Sequence, residues 1–225
     1  RAQSAPLPPP ASAPPSPPAT DDTVKLSVFE VSAGNDRGYA ASTAMSGTRT
    51  NEKLENLPNA ISVMTADLLA DLGVLNFLDA ADFAVGAENV FNDGATRGAA
   101  VGARSGNTIT FRGLASVRQL RDGFPWYMPQ DVFNTDRIEF SRGPGGLSYG
   151  DVDAGGTVNV GTKRPTVGRN ATTLATRWDS WGGRRASVDE IRTLVPKKAA
   201  YRLNLLYNDG EGARERSGSR LNGIA

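Results

Sequence analysis

Alternation of hydrophobic and polar residues with period two recurs along the second half of the chain, and it predicts β-strands. Residues 199–208 show it most regularly, with apolar side chains on one face and polar side chains on the other. The apolar face holds Tyr201, Leu203, Leu205 and Tyr207, and the polar face holds Arg202, Asn204 and Asn208. An apolar face of about ten residues that ends in tyrosines is typical of a membrane-barrel strand, although a soluble half-buried hairpin gives the same alternation.

Two further runs precede this strand, at residues 171–181 and 184–195, and turns rich in glycine or proline separate the three. The middle run alternates poorly, because its aliphatic residues lie among charges. The three runs predict the first antiparallel strands of a transmembrane β-barrel that the chain does not complete, since three strands cannot close a barrel and open edges are not tolerated in lipid. The Gly- and Arg-rich residues 211–225 are interpreted as a barrel loop cut short.

The first half of the chain mixes short strands with small helices. A strand is predicted at residues 60–65, and the hydroxyl of Thr65 can cap the helix that follows, which Gly73 ends. A second helix is predicted at residues 76–84 and a loop at residues 86–106. Further short strands are predicted at residues 108–111, 117–121, 137–141 and 157–162. This pattern is typical of a small α+β domain with a short mixed sheet.

The N-terminal part divides into a proline-rich stretch and an alternating segment. Residues 1–20 hold eight of the fourteen prolines, and such a stretch is extended and cannot bury a core. It is interpreted as a disordered linker, or as an arm that holds the next segment away from the body. The next segment is predicted to be an edge or unattached strand, although an ordinary first strand fits equally. Its apolar residues are Val24, Leu26, Val28, Phe29 and Val31.

Composition removes several classes of chemistry. The chain has no cysteine and no histidine, which excludes disulfides, thiolate nucleophiles, zinc clusters and histidine-based triads. The 25 basic and 24 acidic residues nearly cancel, which argues against nucleic-acid binding. Acidic pairs such as Asp151 and Asp153 make a poor metal site, and nothing places a nucleophile beside a base. No enzyme activity, metal site or cofactor is therefore predicted.

Two features of the sequence bear on export. No apolar run approaches the ~18 residues that a membrane helix needs, whereas barrel strands carry a much weaker signal. The sequence begins at Arg1 rather than at methionine. A signal peptide is therefore expected to have been removed near residues 2–4.

The most informative region is residues 134–165, which reads strand, glycine turn, loop, glycine pair and strand. It contains Arg-Gly-Pro at 142–144, Tyr-Gly at 149–150 and Gly-Gly-Thr-Val-Asn-Val at 155–160. No Gly-Lys-Ser or Gly-Lys-Thr follows these glycines, and no helix pattern begins there, so they are not those of a P-loop. The region closely resembles the end of the plug domain of TonB-dependent outer-membrane receptors. Four more segments resemble that family in the same order, at residues 46–50, 57–65, 110–114 and 121–125.

The resemblance covers about residues 22–225 and implies a fold and a function. In that family a barrel of about 22 strands encloses the plug. Such a receptor imports a scarce nutrient across the outer membrane, most often a ferric siderophore, with energy delivered through the periplasmic domain of TonB. Cobalamin, haem, other metal chelates and oligosaccharides are further substrates. The implied domains are a Pro-rich disordered linker (1–20), a TonB-interacting segment (21–38), the plug (39–167) and the first barrel strands (168–225).

The resemblance also implies roles for particular residues. TonB adds a β-strand to the segment whose apolar residues are Val24, Leu26, Val28, Phe29 and Val31. Arg112 and Arg142 are expected to form ion pairs with barrel glutamates, or else to be ordinary surface arginines. Candidate substrate contacts are Trp126, Tyr127 and Gln130, although the two aromatic residues can equally pack against the barrel wall. The alternative to a transport receptor is a plug-only periplasmic binding or signalling module.

Overall fold

Thirteen strands and two short α-helices lie in the part of the chain that the structure describes. The structure is a computed structural model that describes residues 36, 38–48, 50–89, 109–113, 117–128, 130–143, 155–211 and 219–225. The strands of the first two thirds are β1 (Thr43–Ala44), β2 (Glu52–Lys53), β3 (Ala60–Thr65), β4 (Ala87–Asn89), β5 (Ile109–Phe111), β6 (Arg118–Arg121), β7 (Phe124–Pro125), β8 (Thr135–Arg142) and β9 (Gly156–Thr162). Those of the last third are β10 (Ala171–Trp178), β11 (Arg184–Val195), β12 (Ala199–Gly210) and β13 (Ser219–Ile224).

A five-stranded mixed sheet forms the centre of the first two thirds. Its order is β3-β8-β9-β6-β7, with β6 parallel to β9 and the other neighbours antiparallel. Helices α1 (Ala66–Asp71) and α2 (Phe77–Asp82) contribute to an apolar core with this sheet. Core residues include Met64, Leu69, Phe77, Ile109, Phe111, Ile138, Phe140, Val158 and Val160. The prediction of a small α+β domain with a short mixed sheet is confirmed.

Both helices begin at the residues that the sequence indicates. The Thr65 hydroxyl accepts a hydrogen bond from the backbone N–H of Leu68 at 3.3 Å, which satisfies one free donor of the first turn of α1. Gly73 follows α1 with a φ of 68°, as helix ends favour. Asn76 begins α2 with a capping box shared with Asp79. Within the described residues, neither helix is long and apolar enough to cross a membrane.

Two stretches interpreted as loops contain strands. Residues 86–106 were expected to form a loop, but β4 lies at its beginning and pairs with β5. Residues 211–225 were also interpreted as a loop, but β13 lies within them and pairs with β12 over six positions. Two apolar residues, Leu221 and Ile224, stand among serine, arginine, asparagine and glycine in β13. Backbone pairing with a long neighbour therefore forms this strand without help from side-chain propensity.

The last four strands form an antiparallel sheet in the order β10-β11-β12-β13. Its outward face is apolar along a row that crosses all four strands through directly paired positions, namely Leu174, Val188, Leu205 and Ile224. The inward face carries Asn204, which is 3% exposed. The alternation predicted for residues 199–208 is thus confirmed, with the apolar face outside. The poor alternation of β11 has two causes. Ile191 is an apolar residue on the inward face and is 3% exposed, whereas Val188 lies on the outward face. A register shift between Thr193 and Val195 then reverses the phase at the end of the strand.

Candidate functional site

The glycine-rich motif of residues 134–165 includes the paired strands β8 and β9. Gly156 has a φ of 128°, and a Cβ at this position would collide with the carbonyl oxygen of Ser141. Only glycine allows the backbones of β8 and β9 to approach this closely. Residues 144–154, which include Asp151 and Asp153, lie outside the described residues.

Arg142, at the end of β8, reaches across the plug sheet. Its Nε donates to the carbonyl oxygen of Val85 at 2.8 Å, and one terminal nitrogen donates to the Ser62 hydroxyl at 2.7 Å. The guanidinium lies 5.7 Å from the centre of the Phe111 ring. The other terminal nitrogen is buried and has no hydrogen-bond partner among the described residues. A buried, charged donor is thus left available.

Arg112 lies close to Arg142, so the structure brings the two predicted arginines together. Burial lowers the pKa of Arg142 from its ordinary value, and the positive charge of Arg112 lowers it further. Arg112 itself has a φ of 54°, and its N–H donates to the carbonyl oxygen of Gly86 at 2.9 Å. Two neighbouring guanidinium groups with an unused buried donor suit a carboxylate.

Charged pairs also join the plug to the four-stranded sheet. The Asp131 carboxylate accepts a hydrogen bond from Arg185 at 2.9 Å and a second one on its other oxygen. The two side chains are only 10% and 11% exposed. Asp131 also accepts the N–H of Phe133 and so caps the 3₁₀ turn Val132–Asn134. The Asp131 carboxylate therefore stabilises a turn of the plug and also binds the plug to the four-stranded sheet.

A second charged cluster lies beside the first. Asp189 of β11 accepts both a bidentate pair from Arg202, at 2.8 and 2.6 Å, and a bond from Lys163 at 3.0 Å. Lys163 also donates to the carbonyl oxygen of Phe133 at 2.9 Å. Sequence reasoning missed these partners. The charges among the aliphatic residues of β11 were their signal, and they were interpreted as weak alternation.

The ring of Phe133 packs against Gly223 where the plug meets the four-stranded sheet. A Cβ at Gly223 of β13 would meet the ring of Phe133 at 2.8 Å and Leu206 at 3.5 Å. Gly223 therefore leaves the space into which the plug inserts Phe133. Nearby, a cavity of about 250 Å³ between α1 and strands β10 and β11 is lined in part by Lys163, Arg177 and Arg185.

Among the described residues, Glu139 is the most buried charged group, at 1% exposed. Its carboxylate accepts hydrogen bonds from the N–H groups of Met45 and Ser46, at 3.0 and 2.8 Å, and from the Ser46 hydroxyl. Arg137, two residues earlier on the same face of β8, donates to the carbonyl oxygen of Thr43 at 3.0 Å. It also pairs with Asp36 at 2.8 Å. These contacts bind residues 36 and 38–48 to the sheet, and sequence reasoning did not single them out.

The predicted substrate contacts differ in exposure. Tyr127 is 61% exposed, whereas Trp126 is half-buried beneath the guanidinium of Arg121 at 4.9 Å. Gln130 is buried, and its backbone carbonyl oxygen accepts the N–H of Phe77. Of the three candidate substrate contacts, Tyr127 is therefore the exposed one, and the role of all three stays a prediction. The five predicted TonB-binding residues lie outside the described residues. Among the described residues no cluster of metal-ligating side chains occurs.

Charged pairs join the α+β domain to the polar face of the four-stranded sheet, and the other face of that sheet is apolar and exposed. This is the arrangement of a plug against a barrel wall. The model of the TonB-dependent receptor plug domain family matches residues 53–157. The chain belongs to the family of TonB-dependent receptors.

Relatives and solved structures agree with this assignment. The metal-pseudopaline receptor CntO of Pseudomonas aeruginosa is 33% identical over 212 residues, which cover 90% of this chain and 29% of the relative. The ferrioxamine receptor of Yersinia enterocolitica is 30% identical over 69% of this chain and 24% of its own length. The ferric-catecholate import receptor Fiu of E. coli K12 shares the fold, with a TM-score of 0.69 at 21% identity over 83% of this chain and 26% of that structure. The chain therefore spans less than a third of these receptors.

Proposed function

We propose that this chain is the plug and first wall strands of an outer-membrane receptor for TonB-energised uptake of a scarce nutrient, with siderophore-bound iron as the leading candidate. Transport rather than catalysis is its activity. The observation that carries the proposal is the orientation of the four-stranded sheet. Its charged residues face the plug, and its apolar row faces away from the plug, namely Leu174, Val188, Leu205 and Ile224. A plug-only periplasmic module would expose this row to water, and contiguous apolar surface is unfavourable there. Lipid removes that cost.

The plug arginines fit a carboxylate supplied by the rest of the barrel wall. The unused buried nitrogen of Arg142 and the neighbouring charge of Arg112 support this assignment. A buried guanidinium that lacks its partner is strongly destabilising. Ion pairs with barrel glutamates would therefore hold the plug inside the barrel.

We assign the substrate contacts to aromatic residues of the plug and the energy contact to the segment that precedes the plug in the sequence. Tyr127 and Trp126 offer aromatic surface for a planar chelator, and the exposure of Tyr127 supports the tyrosine more strongly. Val24, Leu26 and Val28, with Phe29 and Val31, form the strand that TonB pairs with. A metal chelate other than ferric siderophore is a second substrate class, because the metal-pseudopaline receptor is 33% identical over 90% of this chain.

Uptake measurements in intact cells test this function. The full-length receptor is produced in iron-starved cells without siderophore receptors of their own, and uptake of radiolabelled iron is measured with hydroxamate and catecholate siderophores and with other metal chelates. We expect accumulation that requires both TonB and the proton gradient, whereas surface binding requires neither. Uptake that persists without TonB, or a protein recovered in the soluble periplasmic fraction, contradicts the proposal.

A proline substitution tests the TonB strand. Val28→Pro removes a backbone N–H donor from the added strand and should abolish uptake while binding persists. Val28→Thr keeps the donor and the β-branched shape and should retain uptake. Normal uptake by Val28→Pro would place the TonB strand elsewhere.

A further inference from the structure

The cavity of about 250 Å³ between helix α1 and strands β10 and β11 combines two kinds of surface. Apolar side chains of the plug form one part of its lining, namely Leu69, Val74, Leu75 and Val132. Leu69 and Val74 are buried, at 3% and 4% exposure. Hydroxyl groups and three cationic side chains complete the lining, and no carboxylate occurs among its described residues. The cavity therefore offers apolar surface and positive charge together.

Two of the cations stand directly opposite each other in the sheet. Arg177 of β10 is paired in register with Arg185 of β11, and both side chains line the cavity. Like charges at directly opposed positions destabilise an antiparallel pair unless counter-charges are present. Arg185 has its counter-charge in Asp131, and Lys163 has its own in Asp189. Two of the three cations are therefore neutralised by carboxylates of the protein.

Arg177 is the cation that lacks a counter-charge. Within the described part of the chain, its guanidinium donates one hydrogen bond, to the backbone carbonyl oxygen of Gly73 at 3.0 Å, and it forms no ion pair. A guanidinium carries five N–H donors, so most of the donors of Arg177 remain available. The bond to Gly73, which follows α1, holds the side chain beside the cavity. An anion bound there would relieve the repulsion between Arg177 and Arg185.

We propose that this cavity binds a small aromatic carboxylate and that Arg177 pairs with its carboxylate group. A guanidinium and a carboxylate form two parallel hydrogen bonds, which fixes the direction of the ligand. The ring then lies against the apolar side chains of the plug. Ala175 and Ser187, which are paired next to the two arginines, also line the cavity, and their small side chains leave space for the ring.

The size of the cavity limits the ligand. Its 250 Å³ correspond to about eight molecules of liquid water, which is room for a single substituted ring and too little for a whole siderophore. None of the predicted substrate contacts, Trp126, Tyr127 and Gln130, lines it. The site is therefore separate from the proposed uptake of a nutrient. Because its lining comes from both the plug and the four-stranded sheet, a bound ligand adds a contact between them.

Fluorine NMR of the purified full-length receptor tests the site, with para-fluorobenzoate as the probe. We expect saturable binding with a dissociation constant of about 1 mM or below, which is reasonable for about ten non-hydrogen atoms. Para-fluorobenzyl alcohol has the ring without the charge, and fluoroacetate has the charge without the ring. Each should bind at least about tenfold more weakly, because each loses one of the two kinds of contact. Absence of saturable binding of para-fluorobenzoate would overturn the proposal, also where a carboxylate from the rest of the receptor fills the cavity.

Substitution of Arg177 locates the bound probe. Arg177→Met keeps an apolar side chain of similar reach and removes the charge, and it should weaken binding of para-fluorobenzoate by about tenfold or more. Arg177→Lys keeps the charge without the planar fork and should weaken it less. Arg169→Met removes an exposed arginine outside the cavity and is the matched control, with unchanged binding expected. Equal affinity of Arg177→Met and the unchanged protein would overturn the proposal.

A variant that fills the cavity tests its space and leaves its charges in place. Ala175→Leu should abolish binding of the probe, and circular dichroism shows whether each variant is folded. Full affinity of a folded Ala175→Leu variant would place the probe elsewhere and would overturn the proposal. These measurements require neither TonB nor a proton gradient. Their failure would therefore leave the proposed uptake function standing, and a failure of uptake would leave this site standing.

Discussion

The two large sheets of this protein bury opposite kinds of residues with the same alternation of side chains. Strand β8 of the plug sheet is covered on both faces, so that Phe140 lies in the apolar core and Glu139 lies beneath the backbone of Met45 and Ser46. The four-stranded sheet turns its polar residues toward the plug and leaves apolar ones outside. Period two therefore fixes which residues share a face, whereas the surroundings decide which face is buried. The following experiments test this difference, from the largest expected effect to the smallest.

Removing a core aromatic ring should have the largest effect. Phe140 is 0% exposed and packs edge-to-face on Phe111 at 6.4 Å. Phe140→Ala should lower the free energy of unfolding of the plug by roughly 3–5 kcal/mol, because it leaves a cavity. Phe124, at 74% exposed, is the matched control, and its change to alanine should cost no more than about 0.5 kcal/mol. Denaturant titration of the full-length receptor measures both, and equal losses would contradict the assigned core.

A charge on the outer row tests whether lipid covers it. Leu205 is 36% exposed, and Leu205→Arg should cost roughly 2–4 kcal/mol near the middle of a bilayer. Leu72 on the plug is 37% exposed, and the same change there should cost no more than about 0.5 kcal/mol, because water solvates the guanidinium. Reversible folding into lipid vesicles gives both values. Equal costs would mean that water, rather than lipid, surrounds Leu205 as it surrounds Leu72.

The contact between plug and wall should be sensitive to one methyl group. Gly223→Ala places a Cβ against the Phe133 ring and should cost about 1–3 kcal/mol, because the ring must move. Asn222→Ala, on the neighbouring outward position, is the control and should be close to neutral. Protease resistance of the plug within the full-length receptor reports the contact. Equal protease resistance of the two variants would contradict a close contact between Gly223 and Phe133.

A dependence of stability on pH should be the smallest effect. Burial raises the pKa of Asp36 above its ordinary value of 3.8, although the charge of Arg137 opposes this shift. The folded plug thus holds this proton more tightly than the unfolded chain. The stabilising contribution is complete below 3.8 and is lost as pH rises through the folded pKa.

Thermal unfolding of the receptor across that pH range measures this slope. Asp136 and Glu139 also raise the pKa of Asp36, so they must stay in place in both proteins. The Asp36→Asn variant should show a shallower slope than the unchanged protein. Identical slopes would remove Asp36 as its source.

The sequence predicted those features that depend on residues close together in the chain. The cap at Thr65, the end of α1 at Gly73 and the outward face of β12 all follow from spacing over a few positions. The charged contacts could not be found this way. Glu139 meets Ser46 across 93 positions and Asp131 meets Arg185 across 54, and no local pattern encodes the partner. The strand β13 was missed because its pairing, rather than its composition, determines it.

The glycine that receives Phe133 has a consequence for assembly. Strands of this kind can slip past each other by single residues, and each slip turns every side chain to the opposite face. A slip of one position at Gly223 would bring Asn222 or Ile224 against the Phe133 ring, where only a hydrogen fits. The plug precedes β13 in the chain and is synthesised first. The contact between Phe133 and Gly223 therefore favours one register of β13 and disfavours the registers shifted by one residue.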